Sequence, residues 1–388
     1  MKTEIVIIGG GIVGSATAFY LARQGHQVIL VEKEAGPGLQ ASGRAAGGVR
    51  QQGRRGALPL AIEAVQLWGG LAEDLDAELE YRRTGNLSMA VDQEGVAMLE
   101  AKTAYEQAHG LHDVEMISGD ACRDMIPGLT DQVIAGKLCA SDGSANPMLV
   151  TPAFARAAQR HGAIILAKTR VDGLLQQGSR VVGVNTSAGE IEAEMVINAA
   201  GAWAPALNAI LGCVTPITPG RSQLMITEKL PPRVGPFSSV QGRCYFLQVT
   251  SGNLVIGING VPNEAYEQHT DFPSLQQHAA YMIDVLPWMR DVTLIRAMAG
   301  ITEYTPDGEP YIGAIPGVTG YLVAAGFHGQ GFCVGPMAGK ILAELIAGRE
   351  SPVSLDPFRP DRLASQEEQA AAPPDGSEHD SAEASERH

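Results

Sequence analysis

Residues Gly9-Gly10-Gly11-Ile12-Val13-Gly14 set three glycines at the spacing G-x-G-x-x-G, directly after a short β-branched apolar run. Gly9 permits a tight turn, Gly11 lets a pyrophosphate approach the backbone, and Gly14 lets a helix pack closely on a strand. Ile12 and Val13 lie within that turn, and the unpaired N–H groups of the helix that follows favour phosphate. Glu32, followed by Lys33, closes the next apolar run 21 residues after Gly11. A carboxylate there accepts both hydroxyls of a ribose, so the pair of signals predicts a bound dinucleotide. A second segment follows almost at once, Ser42-Gly43-Arg44-Ala45-Ala46-Gly47-Gly48-Val49-Arg50. Small side chains at this density let backbone lie against a flat ring, while Ser42 and Arg44 are suited to phosphate oxygens.

The elements that must position these residues follow from the hydrophobic pattern. Residues 4–9 are a buried strand, 15–24 a helix and 27–32 a second strand, the β-α-β start of a doubly wound sheet. Further on, 152–161 is helical and 163–167, 171–176, 181–186 and 190–193 are short strands. Residues 195–200 form another buried strand. Near the end, 321–325 is a strand, 326–331 a Gly-rich turn and 334–347 a helix. Between these blocks, 245–249 and 254–258 are strand-like and 275–286 helical. The expected architecture is α/β. A Rossmann-like nucleotide-binding domain is built from residues 1–80, 141–213 and 300–363. An antiparallel-sheet substrate domain, 81–140 and 214–299, is inserted into it. Beyond Leu363 there is no aliphatic residue larger than Ala, no Met and no aromatic, and seven acids face the single base Arg387. Residues 364–388 have nothing to bury and are expected to be a disordered acidic tail.

Composition removes several function classes. The chain has 388 residues, 45% of them hydrophobic, and 46 glycines, well above the ~7% of an average chain. A net charge of −15 opposes nucleic acid, which requires clustered Lys and Arg. No 18-residue uncharged apolar run exists, so no membrane span is expected. The first residues lead straight into a strand, unlike a secretory signal. Cys122, Cys139, Cys213, Cys244 and Cys333 lie far apart with no CxxC, which excludes an iron–sulfur or zinc site of ordinary spacing; the odd count fits reduced thiols in the cytoplasm. No metal site is expected.

Taken together, four motifs resemble the FAD-dependent amine and amino-acid oxidoreductases of the D-amino-acid oxidase family. They are Gly9–Gly14 with Glu32, Ser42–Arg50, Asn198-Ala199-Ala200-Gly201-Ala202-Trp203, and the stretch from Thr305-Pro306-Asp307-Gly308 to the turn ending at Phe332. The resemblance spans residues 1 to about 364 and implies a glutathione-reductase-type fold with FAD in an extended pose. It puts the pyrophosphate on Gly11–Gly14 and on Ser42, Gly43 and Arg44, with the ribose on Glu32 and Lys33 and the adenine beside Val171. It further implies flavin contacts from Ala46, Gly47, Gly48 and Val49, from Ala200, Gly201 and Trp203, from Gly300 and Gly326, and from Gly329-Gln330-Gly331-Phe332. That last turn opens the final helix, whose dipole would favour reduced flavin.

Departures narrow the subgroup. Thr302 and Gly329 stand where glycine oxidase carries its carboxylate-binding arginines. Cys333 and Val255 stand where monomeric sarcosine oxidase carries lysines, the second of which activates oxygen. The flavin-facing segments look most like β subunits of multi-subunit dehydrogenases: the octopine and nopaline oxidases, D-hydroxyproline and L-proline dehydrogenases and hydrogen cyanide synthase. The resemblance therefore implies dehydrogenation of an amino acid or secondary-amine amino acid by hydride transfer to flavin N5. Electrons would leave through partner subunits carrying FAD, FMN or iron–sulfur centres, with an FMN at a subunit boundary as one form. Such a chain would be cytoplasmic, any membrane association coming through partners. A free-standing glycine- or sarcosine-oxidase-like enzyme, a hydrogen cyanide synthase subunit acting on glycine, and a non-catalytic flavin-binding subunit remain as alternatives.

Four residues are candidates for the substrate face. His328 either bonds the substrate or packs on the flavin. Tyr245 either contacts substrate or belongs to the core. Arg50 either grips the carboxylate bidentately or serves a phosphate or structural salt bridge. Glu303 either reads a cationic group or is a solvated surface acid.

Overall fold

The structure is a computed structural model that describes residues 1–51, 56–241, 243–262 and 266–363; the expected acidic tail lies outside them. Its frame is two eight-stranded sheets. In the first, Tyr321–Ala325, Gly189–Asn198, Lys2–Ile8, Val28–Val31 and Ile164–Leu166 lie parallel in that order. Antiparallel Tyr311–Ala314 sits outside Tyr321–Ala325. The pair Val171–Gln177 and Arg180–Thr186 attaches to Gly189–Asn198. Residues 5–8 of the strand Lys2–Ile8 and all of Val28–Val31 are apolar and buried, because helices cover one face and further chain the other. The helix Ile12–Arg23 packs against Pro147–Arg160 and against the last helix, Gly331–Ile346.

The second sheet runs Leu294–Tyr304, Thr218–Lys229, Asn253–Pro262, Cys244–Gln248, Phe237–Val240, Asn86–Ala90, Ala135–Cys139, Val114–Ser118. Every pairing in it is antiparallel except that of Phe237–Val240 with Asn86–Ala90. Alternation divides its faces. Leu87, Met225, Phe246 and Ile256 join one core with Met282 and Val285 of the helix Phe272–Val285. Leu224, Phe237, Leu247 and Val255 gather on the other face, with Ala46 of the glycine-rich loop packed against them. A two-stranded ladder, Gly48–Val49 with Gly143–Ser144, ties that loop down. The α/β class is as expected.

Several element boundaries differ from the sequence pattern, among them the first helix, which starts at Ile12 rather than 15, and the helix Phe272–Val285, expected at 275–286. The helix expected at 152 begins at Pro147, capped by Asn146, whose Oδ1 accepts from Met148 N–H at 3.0 Å. The signal overlooked is Asn before Pro, a cap followed by a first-turn proline; Pro152 is carried inside the helix. Likewise the last helix starts at Gly331 rather than 334 and carries Pro336 within it. Residues 189–198 form one strand instead of two. Its exposure alternates up to Glu194, and Val196 and Ile197 are then both buried. What changes there is the cover over the strand, with no break in the chain.

Candidate functional site

One cavity of about 1790 Å³ is lined by residues of both sheets, well beyond the ~300–1,000 Å³ that one small ligand usually fills. One end is built on the first β-α turn. Gly9 has φ +99°, and a Cβ there would lie 2.6 Å from the Ala199 carbonyl oxygen. A Cβ on Gly14 would lie 2.0 Å from the Gly9 oxygen, so only glycine lets the helix start this close to the strand. Glu32 receives Gly10 N–H on Oε2 at 2.6 Å and Glu34 N–H on Oε1 at 2.7 Å. Its carboxylate thus holds the turn and still faces the cavity. Ser42 Oγ accepts from Ile12 N–H at 2.9 Å, which brings the second glycine-rich segment to the helix N-terminus. Gly11, the N-cap, has no side chain to close that end, leaving donors for an anion.

Farther along, Lys33 Nζ stands 3.3 Å from the Trp203 ring centroid, and Trp203 stacks on Tyr266 at 5.3 Å. Thr169, Arg170 and Val171 line the wall beside them. The last helix points its N-terminal residues Gly331 and Phe332 at the same cavity, with Gly329 and Gln330 ahead of them and no side-chain cap. Two helix N-termini without an N-cap side chain, the carboxylate of Glu32 and the small residues Ala46, Gly47 and Gly48, all lining one cavity, fit an extended dinucleotide with a flat ring.

The other end of the cavity carries the substrate candidates. Tyr245 pairs with Gly257 across the second sheet and stacks on Phe237. Removal from water pushes its phenol up to about 12, with the nearby Arg50 charge opposing, so it stays neutral at ordinary pH. Arg50 Cζ lies 4.8 Å from the Phe237 centroid. Among the described residues its guanidinium has no hydrogen-bond acceptor. His328 sits at φ +49°, between Gly326 and Gly329, both at +77°; holding a histidine there costs ~1–3 kcal/mol. Its Nδ1 accepts Thr305 N–H at 3.2 Å, which assigns the ring proton of the neutral form to Nε2.

Most of the residues singled out from sequence line this cavity. Four do not. Gly14 packs under Gly9, a Cβ on Gly43 would meet the Gly38 oxygen at 2.1 Å, Val49 is fully buried, and Gly326 holds the last turn. Two side chains are engaged by backbone. Arg44 lines the cavity while its Nε donates to Leu39 O at 3.2 Å and its Nη1 to Ala299 O at 2.7 Å, tying the loop to the second sheet. Glu303 is no solvated surface acid. Its Oε2 accepts Gly326 N–H at 2.5 Å and Phe327 N–H at 3.2 Å, so it braces the turn ahead of the last helix. Loss of hydration raises its pKa, and the two N–H groups oppose that. Sequence reading missed Phe237, Gly257 and the Ser222–Thr302 hydroxyl pair, 2.5 Å apart. Strand alternation marks these residues only as one face of a strand; no motif signals them.

A family model described as FAD dependent oxidoreductase (DAO) matches residues 4–345. Glycine oxidase of Geobacillus kaustophilus is 27% identical over 373 residues, covering 92% of this chain and 96% of that protein. Hydrogen cyanide synthase subunit HcnC of Pseudomonas aeruginosa is 27% identical over 399 residues, covering 92% and 95%. Among solved structures, L-proline dehydrogenase from P. horikoshii matches with a TM-score of 0.88 and 30% identity, over 94% of this chain and 98% of that one. No helix among the described residues is long and apolar enough to cross a membrane.

Proposed function

The chain belongs to the FAD-dependent oxidoreductase (DAO) family, and from that premise we propose that it dehydrogenates an amino acid or secondary-amine amino acid and passes the electrons to a partner subunit. The observation that carries the reading is one continuous cavity, which joins the dinucleotide cradle at Gly9–Val13 and Glu32 to a wall bearing Arg50, Tyr245 and His328. When bound, FAD supplies the acceptor for a hydride leaving the carbon next to nitrogen.

The chain's own residues do the rest. Arg50 offers a fork without an acceptor of its own among the described residues, suited to a carboxylate. Tyr245, kept neutral, offers a hydroxyl. His328, protonated at Nε2 in its neutral form, acts there as a donor and not as a base. The apolar cluster of Leu224, Phe237, Leu247 and Val255 keeps water off the reacting carbon. Orienting the substrate between these groups supplies much of the rate.

Transfer to a partner rather than to oxygen is favoured by Val255, which is buried in that cluster at the position the resemblance aligns with an oxygen-activating lysine. The names of the relatives also support an amino-acid substrate and, through the cyanide synthase subunit, a multi-subunit setting. The test is an anaerobic panel of glycine, L- and D-proline, hydroxyprolines and opines that follows the visible flavin band of the holoprotein. Bleaching by at least one of them is expected, with slow peroxide release in air and fast turnover with an artificial acceptor. A panel that leaves the band unchanged would sink the reading. Peroxide release matching substrate loss would return the chain to a free-standing oxidase.

A further inference from the structure

Gly257, Tyr245, Phe237 and Arg50 form a single stack across the second sheet. A Cβ on Gly257 would lie 1.7 Å from Tyr245 Cζ, so the phenol ring occupies the space a side chain would take there. A strand glycine covered by a cross-strand aromatic ring holds that ring in one place. Tyr245 stacks on Phe237 with centroids 5.6 Å apart and planes 18° apart. Phe237 in turn carries the Arg50 guanidinium 4.8 Å from its centroid. Both Phe237 and Arg50 press on Gly48, where a Cβ would meet Phe237 Cε2 at 3.0 Å and Arg50 Nε at 3.2 Å.

The Arg50 backbone is pinned independently. Its N–H donates to Cys333 Sγ at 3.2 Å, and that thiol reaches the Arg50 carbonyl at 3.4 Å. The next N–H, of Gln51, donates to Asp142 Oδ1 at 2.7 Å. With the main chain fixed, the aromatic pair is what decides where the flexible end of Arg50 points.

We propose that Phe237, held by Tyr245 on Gly257, is a positioning residue that sets the reach of Arg50 toward the substrate carboxylate. The proposal rests on the reading of Arg50 as carboxylate anchor. Face-on contact with the ring leaves the N–H edge of the guanidinium free for a bidentate partner. Freed from the ring, the same arginine samples many rotamers and must be ordered again each time a carboxylate binds.

The test uses the holoenzyme with acetate as probe, read by perturbation of the flavin absorbance. Steady-state kinetics use the most active amino acid of the panel. Phe237→Leu should weaken acetate binding and raise KM roughly tenfold, with a smaller change in kcat. Phe237→Tyr, which keeps the ring, should recover most of the loss. Gly257→Ala must push Tyr245 aside and should reproduce the rise in KM at full flavin content. Arg50→Ala separates the two ideas. If it abolishes acetate binding while Phe237→Leu and Gly257→Ala change nothing, the positioning role is wrong and the anchor stands. If Arg50→Ala changes nothing, the anchor reading falls, and the positioning role with it. Should Phe237→Leu lose flavin or fail to fold, Gly257→Ala decides: an unaltered KM overturns the proposal.

Discussion

Glu32→Ala tests whether one carboxylate serves both the fold and the cofactor. In the structure its two oxygens already accept Gly10 N–H at 2.6 Å and Glu34 N–H at 2.7 Å, and the residue is 7% exposed. Bonds to a charged acceptor contribute ~1.5–3 kcal/mol each. The Glu34 amide is partly buried and can recover water, whereas Gly10 is buried. The apoprotein should therefore lose about 3 kcal/mol, which in a chain of this size lowers Tm by roughly 4 °C. If the ribose hydroxyls also bond Glu32, FAD affinity should fall a further 10- to 100-fold, roughly. Glu32→Gln, which can accept one N–H but turns its amide against the other, should fall between. Two measurements separate the roles: thermal unfolding of the flavin-stripped protein, and titration of that protein with FAD by flavin fluorescence. An unchanged apoprotein Tm would refute the structural part of the reasoning. A lowered Tm with unchanged FAD affinity would confine Glu32 to holding the Gly10 turn.

Asp142, beneath the Arg50 segment, is pushed up to about 6 from the 3.8 of a free carboxyl, chiefly by burial, with Gln51 N–H opposing. The folded chain then keeps a proton that the unfolded chain releases. Stability is full below about pH 4 and falls by about 3 kcal/mol as pH rises through about 6. Asp142→Asn should flatten the slope of Tm between those values, and a slope that persists would assign it to another group. Lys137 Nζ lies 2.9 and 2.6 Å from the Glu106 oxygens, both side chains almost fully buried. Lys137→Met alone strands a buried carboxylate and should cost ~3–5 kcal/mol, most of it recovered by adding Glu106→Leu. Urea unfolding showing equal losses in the single and double variants would contradict that account.

The dinucleotide cradle was legible without coordinates because its causes are local. Gly9, Gly11 and Gly14 act within a single turn, and Ser42–Arg50 follows the second strand closely, so short-range sterics and helix-end donors suffice to announce both. The same holds for the buried runs 5–8 and 321–325, whose uniform apolarity has one structural meaning in a covered parallel sheet. The helix start at Pro147 is equally local, since Asn146 and Pro147 form a cap and a first-turn proline while Pro152 lies inside the helix.

The roles of the substrate-facing side chains were a different matter. Glu303 and Gly326 are 23 residues apart, and Arg50 lies against Phe237 from the far end of another segment. Alternation told which face of a strand each residue occupies, but not what stands opposite. That depends on register between strands and on how the two sheets meet, so Arg44 went to backbone carbonyls and Glu303 to backbone amides. Residue type and spacing state what a group can bind. Only the packed chain decides which partner arrives first, because a charged side chain removed from water takes whatever acceptor or donor the tertiary structure brings within about 3 Å.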